Sequence, residues 1–228
     1  WWLLVFYSLG GELYKEDGTP NFDSPEALAT TQFMLDMRQA TYGPASDAVG
    51  TLPTGQGSVI DRDDATGKDN GAVCLAHSGW AAPAFDRPIW ESISIDPFYG
   101  DSPNFPESTP VVLGFNDWLA VPEYSPNKQL AADWLKLALS KEGDNKWCET
   151  MGLIPARNDS QYGFVVESPQ LKREAELAAQ YGVGFAGIKE SAKLSTIMQD
   201  ALGKLITEEL TPEEVVAKIQ QEYSDALK

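Results

Sequence analysis

Helix starts led by proline constrain this chain more than any other feature. Asp23-Ser24-Pro25-Glu26, Ser168-Pro169 and Thr211-Pro212-Glu213-Glu214 each set a capping side chain ahead of a proline. The ring's fixed φ suits a first helical turn, and its missing N–H has no partner to lose there. Thr211 and Glu214 also have the spacing of a capping box. The helices so opened are predicted to run to about Tyr42, to about Tyr181 and to Ala226. Between them, a helix from Ser125-Pro126 to about Ser140 carries Leu130, Trp134, Leu137 and Ala138 on one face. Lys141 to Met151, stopped by Gly152, and Glu190 to Ile206 complete the set. Residues 1 to 9 are apolar nearly all round and end on Gly10-Gly11, which reads as the tail of a buried helix closed by a glycine cap.

Extended segments are few. Glu12 to Phe22 alternates around Asp17-Gly18, a two-residue turn signal that predicts a hairpin. Residues 43 to 70 are rich in Gly, Asp, Thr and Pro and read as loop. Strands are expected at Gly71 to Ala76 and Ser92 to Pro97, with a short helix at Ala81 to Asp86 between them and an extended connection over 100 to 110. Val111 to Pro122 reads as two strand segments broken at Gly114 to Asp117, and Leu153 to Arg157 as a returning extended segment. Few strands among many helices point to an α/β architecture with an incomplete sheet.

The chain has 228 residues, enough for one large domain or two small ones with a real core. Its longest unbroken apolar run, Trp1 to Tyr7, is far short of the ~20 residues of a membrane-spanning helix. It opens without an initiator Met or a signal-peptide pattern, so a piece of a longer protein is expected. Seventeen basic and 34 acidic residues give a formal charge of −17, which repels nucleic acid and anionic membranes and favours a neutral or cationic ligand. Cys74 and Cys148 read as two free, buried thiols. With His77 the only histidine, neither cysteine has the neighbours of a zinc site. No G-x-S-x-G elbow, P-loop or nucleotide fingerprint is present, and no carboxylate pair stands out as a glycosidase couple. The expectation is a protein without cofactor or catalytic function.

Candidate binding residues gather around Gly71 to Trp80, GAVCLAHSGW, an apolar strand that runs into a polar turn and delivers an indole. Trp80 is either core or a flat platform aimed into a cleft. A pyranose offers an apolar C–H face and a rim of hydroxyls, so a sugar site needs aromatic platforms and a few fixed polar groups. Trp80 with Phe115 or Trp118 supplies the first; His77, Ser78, Asn116, Asp117 and Arg157 supply the second. Each has a structural alternative. His77 can cap the strand, Asp117 can bond its own turn, Trp118 can pack in the fold, and Arg157 can pair with a surface acid. Trp134 and Trp147 have core spacing and are assigned to packing, whereas Trp1, Trp2 and Trp90 stay unassigned.

The order of motifs adds a resemblance. Gly10-Gly11 to Gly18, FDSPEA (Phe22 to Ala27), Gly67-Lys68, Gly79-Trp80, VLGFNDWLAVPEYSPNKQLAADWLKL and GLIPAR (Gly152 to Arg157) together resemble the extracellular solute-binding proteins of bacterial ABC importers. The likeness is to the carbohydrate-binding group that includes maltose-binding protein, and it covers essentially the whole chain. It implies an α/β, two-lobed periplasmic-binding-protein-like fold whose N-terminal part is absent from this chain. By the resemblance, residues 1–109 are part of the second lobe, 110–160 cross over and complete the first, and 161–228 return as helices to the second. Trp80 becomes the stacking platform; Gly114, Phe115 and Asn116 line the facing wall. Leu113-Gly114 stands where the commoner pattern has paired glycines. The resemblance further implies a monomer that binds a small-molecule sugar outside the cytoplasm, in the periplasm or as a surface lipoprotein, and delivers it to permease subunits of a transporter. A polyamine or other cationic solute on the same scaffold is the alternative, with Asp96 and Asp117 as counter-charges; a carbohydrate-active enzyme is a further one.

Overall fold

In the computed structural model the described residues are 2–42, 108–114, 119–151, 153–157, 159–160, 168–184 and 187–228. Their elements are α1 (Trp2–Ser8), α2 (Pro25–Tyr42), β1 (Val112–Gly114), α3 (Lys128–Ala138), α4 (Lys141–Met151), α5 (Pro169–Tyr181), β2 (Gly182–Gly184), α6 (Ser191–Ile206) and α7 (Pro212–Ala226). β1 and β2 pair as a two-stranded sheet. The strands expected at 71–76 and 92–97 and the helix at 81–86 lie outside the described residues, as does the expected break at Gly114 to Asp117 beyond Gly114 itself, which ends β1. Two compact units emerge. The first combines Trp1–Pro53, Pro97–Leu113 and Phe185–Lys228, and the second Thr54–Asp96 and Gly114–Gly184.

The helix ends follow the local chemistry. Ser24 Oγ accepts the Ala27 N–H, and Ser168 Oγ that of Leu171. At Thr211 both halves of the capping box are made: its hydroxyl accepts the Glu214 N–H at 3.3 Å, and Glu214 accepts the Thr211 N–H at 2.8 Å. α1 closes as a Schellman motif, with Gly11 N–H on Phe6 O, Gly10 N–H on Tyr7 O, and Gly10 at φ +83°.

The hairpin is smaller than expected. Its turn forms, with Gly18 at φ +81° and Asp17 Oδ1 accepting both the N–H and the hydroxyl of Thr19. Lys15 N–H donates to Thr19 O and Asn21 N–H to Leu13 O, and these two bonds frame a single bridge, Tyr14 with Pro20; the Thr19 N–H is taken by Asp17 and not by the facing strand.

The first unit has a closed core of Trp2, Phe6, Leu13 and Phe22 from the N-terminal stretch, Ala27 of α2, Leu194, Met198, Ala201 and Leu205 of α6, and Val215, Val216, Ile219 and Tyr223 of α7. Trp2 stacks on Phe6 at 4.7 Å between ring centroids, and Phe22 meets the edge of Tyr223 at 5.8 Å. The Trp2 indole N–H is satisfied by Thr31 Oγ1, which itself donates to Ala27 O. Gln220 of α7 holds the hairpin exit by both ends of its amide: its Oε1 accepts the Phe22 N–H and its Nε2 donates to Pro20 O.

α3 and α4 differ from expectation. Leu130, Trp134 and Leu137 fall along one side of α3, yet they are 70%, 58% and 70% exposed, and Trp147 of α4 is 59% exposed. The packing assigned to Trp134 and Trp147 is therefore corrected. Helical spacing identifies an apolar face, but whether another element covers that face is a matter of tertiary context.

Candidate functional site

Gly114 and Arg157 are the candidate residues that fall among the described ones. His77, Ser78, Trp80, Phe115, Asn116 and Asp117 lie outside them, as do Cys74 and Trp118.

Gly114 ends β1. A Cβ added there would sit 3.7 Å from Val183 O of β2, an ordinary van der Waals distance, so its glycine is not forced by crowding from β2.

Arg157 is built into a polar knot at the end of the Leu153–Arg157 segment. Its Nε and Nη2 form a fork onto the two carboxylate oxygens of Asp159 at 2.8 and 2.9 Å, and its Nη1 donates to Leu139 O, the C-cap of α3, at 3.2 Å. The hydrogen bonds to Asp159 strengthen the guanidinium's hold on its proton and keep the Asp159 carboxyl below the usual carboxylate range. Both partners are solvent-accessible, so the pair orders the segment more than it stabilises the fold.

Beside it, Asp144 of α4 is buried, with one carboxylate oxygen accepting the Ser160 hydroxyl at 3.1 Å and the other facing the Cys148 thiol at 3.8 Å. Cys148 is free and buried, as expected. Burial first, and the adjacent Asp144 charge second, push its thiol up to about 11. A thiol held protonated in this way is a poor nucleophile and a poor metal ligand. Among the described residues no cluster of three or more His, Cys, Asp or Glu side chains is arranged to hold a metal. Asp144, Asp159 and Ser160 were not singled out from the sequence; the i, i+4 spacing of Asp144 and Cys148 on one helix was the available signal.

No described helix is long and apolar enough to cross a membrane. The structure superposes on maltose-bound MalE3 of T. maritima with a TM-score of 0.70 and 18% identity, over 100% of this chain and 56% of that one. It also matches the cyclic alpha-maltosyl-1,6-maltose binding protein of Arthrobacter globiformis, with a TM-score of 0.58 and 14% identity, over 100% of this chain and 55% of that one. A transporter solute-binding protein of Thermotoga lettingae solved with alpha-D-tagatose gives a TM-score of 0.58 and 17% identity, again over 100% of this chain and 56% of that one. The chain thus spans a little over half the length of these structures. At such identities the likeness establishes the fold, the α/β class of two-lobed, maltose-binding-protein-like structures, as expected. The second and third of these neighbours are named as binding proteins. Residues 2–179 match the family model described as bacterial extracellular solute-binding protein, and the chain belongs to that family.

Proposed function

We propose that the protein is the carbohydrate-binding component of an ABC importer: it takes a mono- or oligosaccharide between two lobes, does no chemistry on it, and presents it to the permease. The family match over residues 2–179 carries this reading. Two of the structural neighbours were solved with sugars, maltose and tagatose, which supports the ligand class. Binding favours the closed arrangement of the lobes, and the permease recognises that form. The protein works outside the cytoplasm, in the periplasm or as a surface lipoprotein, and as a monomer.

In this reading Trp80 is the stacking platform, Gly114, Phe115 and Asn116 form the facing wall, and Asp117 is a further polar contact. His77, Ser78 and Arg157 offer polar contacts at the rim. Three of the five guanidinium N–H groups of Arg157 are committed to Asp159 and Leu139. Its part is therefore to hold the 153–160 segment and to offer at most its outer N–H groups to a hydroxyl. Residues 110–160 are read as completing the first lobe. The exposed apolar face of α3 supports this, because the matched structures contain a further share of polypeptide that this chain does not span.

Differential scanning fluorimetry against mono- and oligosaccharides tests the ligand class. A sugar at about 100 times its Kd adds about 2.7 kcal/mol to the native state and raises Tm. Trp80→Ala, in the protein that spans both complete lobes, is expected to lose most of that shift and keep its unliganded Tm. Unchanged sugar binding by this variant refutes the platform assignment, and an unfolded variant assigns the indole to the core.

The formal charge of −17 favours a second reading, a cationic solute such as a polyamine. Salt separates the two: affinity for a neutral sugar barely changes with ionic strength, whereas binding of a polycation weakens markedly.

A further inference from the structure

The chain passes from the second unit back to the first between Gly184 and Phe185. Soon after, both backbone polar groups of Lys189 are bound by tyrosine hydroxyls instead of by backbone. Lys189 N–H donates to Tyr14 Oη at 2.9 Å, and Tyr223 Oη donates to Lys189 O at 2.5 Å. The two hydroxyls lie 2.6 Å apart.

Counting protons assigns every donor in this ring. A phenol has one O–H, and that of Tyr223 goes to Lys189 O. The bond between the tyrosines is therefore donated by Tyr14, whose oxygen in turn accepts from Lys189 N–H. The result is a closed, one-way circuit: Lys189 N–H to Tyr14, Tyr14 to Tyr223, Tyr223 to Lys189 C=O. Each hydroxyl donates once and accepts once, an arrangement in which successive bonds polarise one another. Burial, with the Tyr14 bond second, raises the Tyr223 hydroxyl above the usual tyrosine range and so keeps the proton that closes the ring.

Its surroundings are firm on the Tyr223 side. Tyr223 is fully buried among Phe22 and the α6–α7 core, and the Lys189 ammonium lies 5.4 Å from the centre of the Tyr14 ring. On the other side, Gly187 at φ +94° has nothing within 4 Å of where a Cβ would be, and Glu190 enters α6 at φ +45°. The turn thus takes two left-handed residues within four positions, one of them not glycine, and such a conformation persists only when surrounding contacts enforce it.

We propose that the Tyr14–Tyr223 ring is a clasp that fixes the entry to α6 at Lys189, so that the turn from Gly187 to Glu190 is held by the two phenol hydroxyls and not by backbone pairing. The inference makes no use of the ligand assignment, and its test needs no sugar. Amide hydrogen exchange is followed on the full chain and on Tyr14→Phe and Tyr223→Phe, each of which removes one hydroxyl and keeps the ring. The Lys189 amide is expected to be protected in the parent and to exchange about tenfold faster or more in Tyr14→Phe, where its acceptor is gone. In Tyr223→Phe the acceptor remains but the circuit is open, and a smaller acceleration is expected. Amides of α6 from Leu194 to Leu205 are expected to stay within about twofold of the parent in both. An unprotected Lys189 amide in the parent, or one unchanged in Tyr14→Phe, overturns the clasp. Acceleration of the α6 amides in step with Lys189 overturns it too, since the hydroxyls would then be part of general core packing.

Discussion

One chemical change, glycine to alanine, is expected to have three different outcomes at three positions of the first unit. At Gly11 an added Cβ would lie 2.3, 2.4 and 2.6 Å from three ring carbons of Phe6. That ring is fully buried and stacked on Trp2 at 4.7 Å and Phe22 at 6.4 Å, so it has no room to retreat. Relieving the overlap takes a shift of about 1 Å in a close-packed core, and Gly11→Ala is expected to destabilise by about 2–3 kcal/mol. At Gly10 nothing lies within 4 Å of the Cβ, but φ is +83°. Only the left-handed backbone penalty applies, partly offset by the lower entropy of the unfolded chain, for a net loss of about 1 kcal/mol. Gly203 sits on the exposed side of α6 with an open Cβ position and no positive φ. There alanine is the better helix former, and Gly203→Ala is expected to stabilise by about 0.5–1 kcal/mol. Urea titrations followed by far-ultraviolet circular dichroism give the three differences from midpoint shifts at a common slope. If Gly10→Ala proves costlier than Gly11→Ala, the close approach to Phe6 is not what selects glycine at 11. If Gly203→Ala destabilises, that position is not an open helix surface.

Three further perturbations concern the second unit. The Cys148 thiol is raised in the folded state, so its contribution to stability is full below the unfolded thiol's value, near 9, and is lost as pH rises toward about 11. Cys148→Ala is expected to flatten that alkaline decline. Asp144→Asn, which removes the neighbouring negative charge, is expected to speed alkylation of the native thiol by iodoacetamide at pH 9; equal rates in variant and parent would show that burial alone protects it. Trp134→Lys with Leu137→Lys is expected to change the stability of this chain by no more than about 0.5 kcal/mol, because both side chains are more than half exposed. The pair should also lower binding of 1-anilinonaphthalene-8-sulfonate; a loss above about 2 kcal/mol would mean the face is covered within this chain.

The helices were legible because their ends are written locally. Ser24-Pro25, Ser168-Pro169 and Thr211-Pro212-Glu213-Glu214 carry their own capping partners within three residues, and Gly10-Gly11 terminates α1 by bonds that reach back only one turn. β2 was missed: Gly182-Val183-Gly184 has no alternation to detect, and it becomes a strand by pairing with β1, remote in sequence. The exposed face of α3 was misjudged for a related reason, since covering a face takes residues from elsewhere. Of the candidate site, Arg157 has a surface acid as its partner, the alternative weighed for it, but the identity of that acid as Asp159 depends on a turn that spacing alone does not define.

The same distinction bears on what holds the first unit together. Its hairpin is fastened to α7 by Gln220 on Pro20 and Phe22 and by Tyr223 on Tyr14, contacts separated by 198 to 209 residues. Closing a loop of that length costs only about 0.6 kcal/mol more per doubling than a shorter one. A small set of bonds can therefore be stabilising across the whole sequence, provided they act together with the buried contacts of Phe22 and Ile219. The N-terminal hairpin, with its single bridge, has almost no ladder of its own and is below the size at which a two-stranded unit is stable alone. Its structure thus depends on α7, and the first unit is a discontinuous assembly in which α7 holds a hairpin that lies about 200 residues earlier in the sequence.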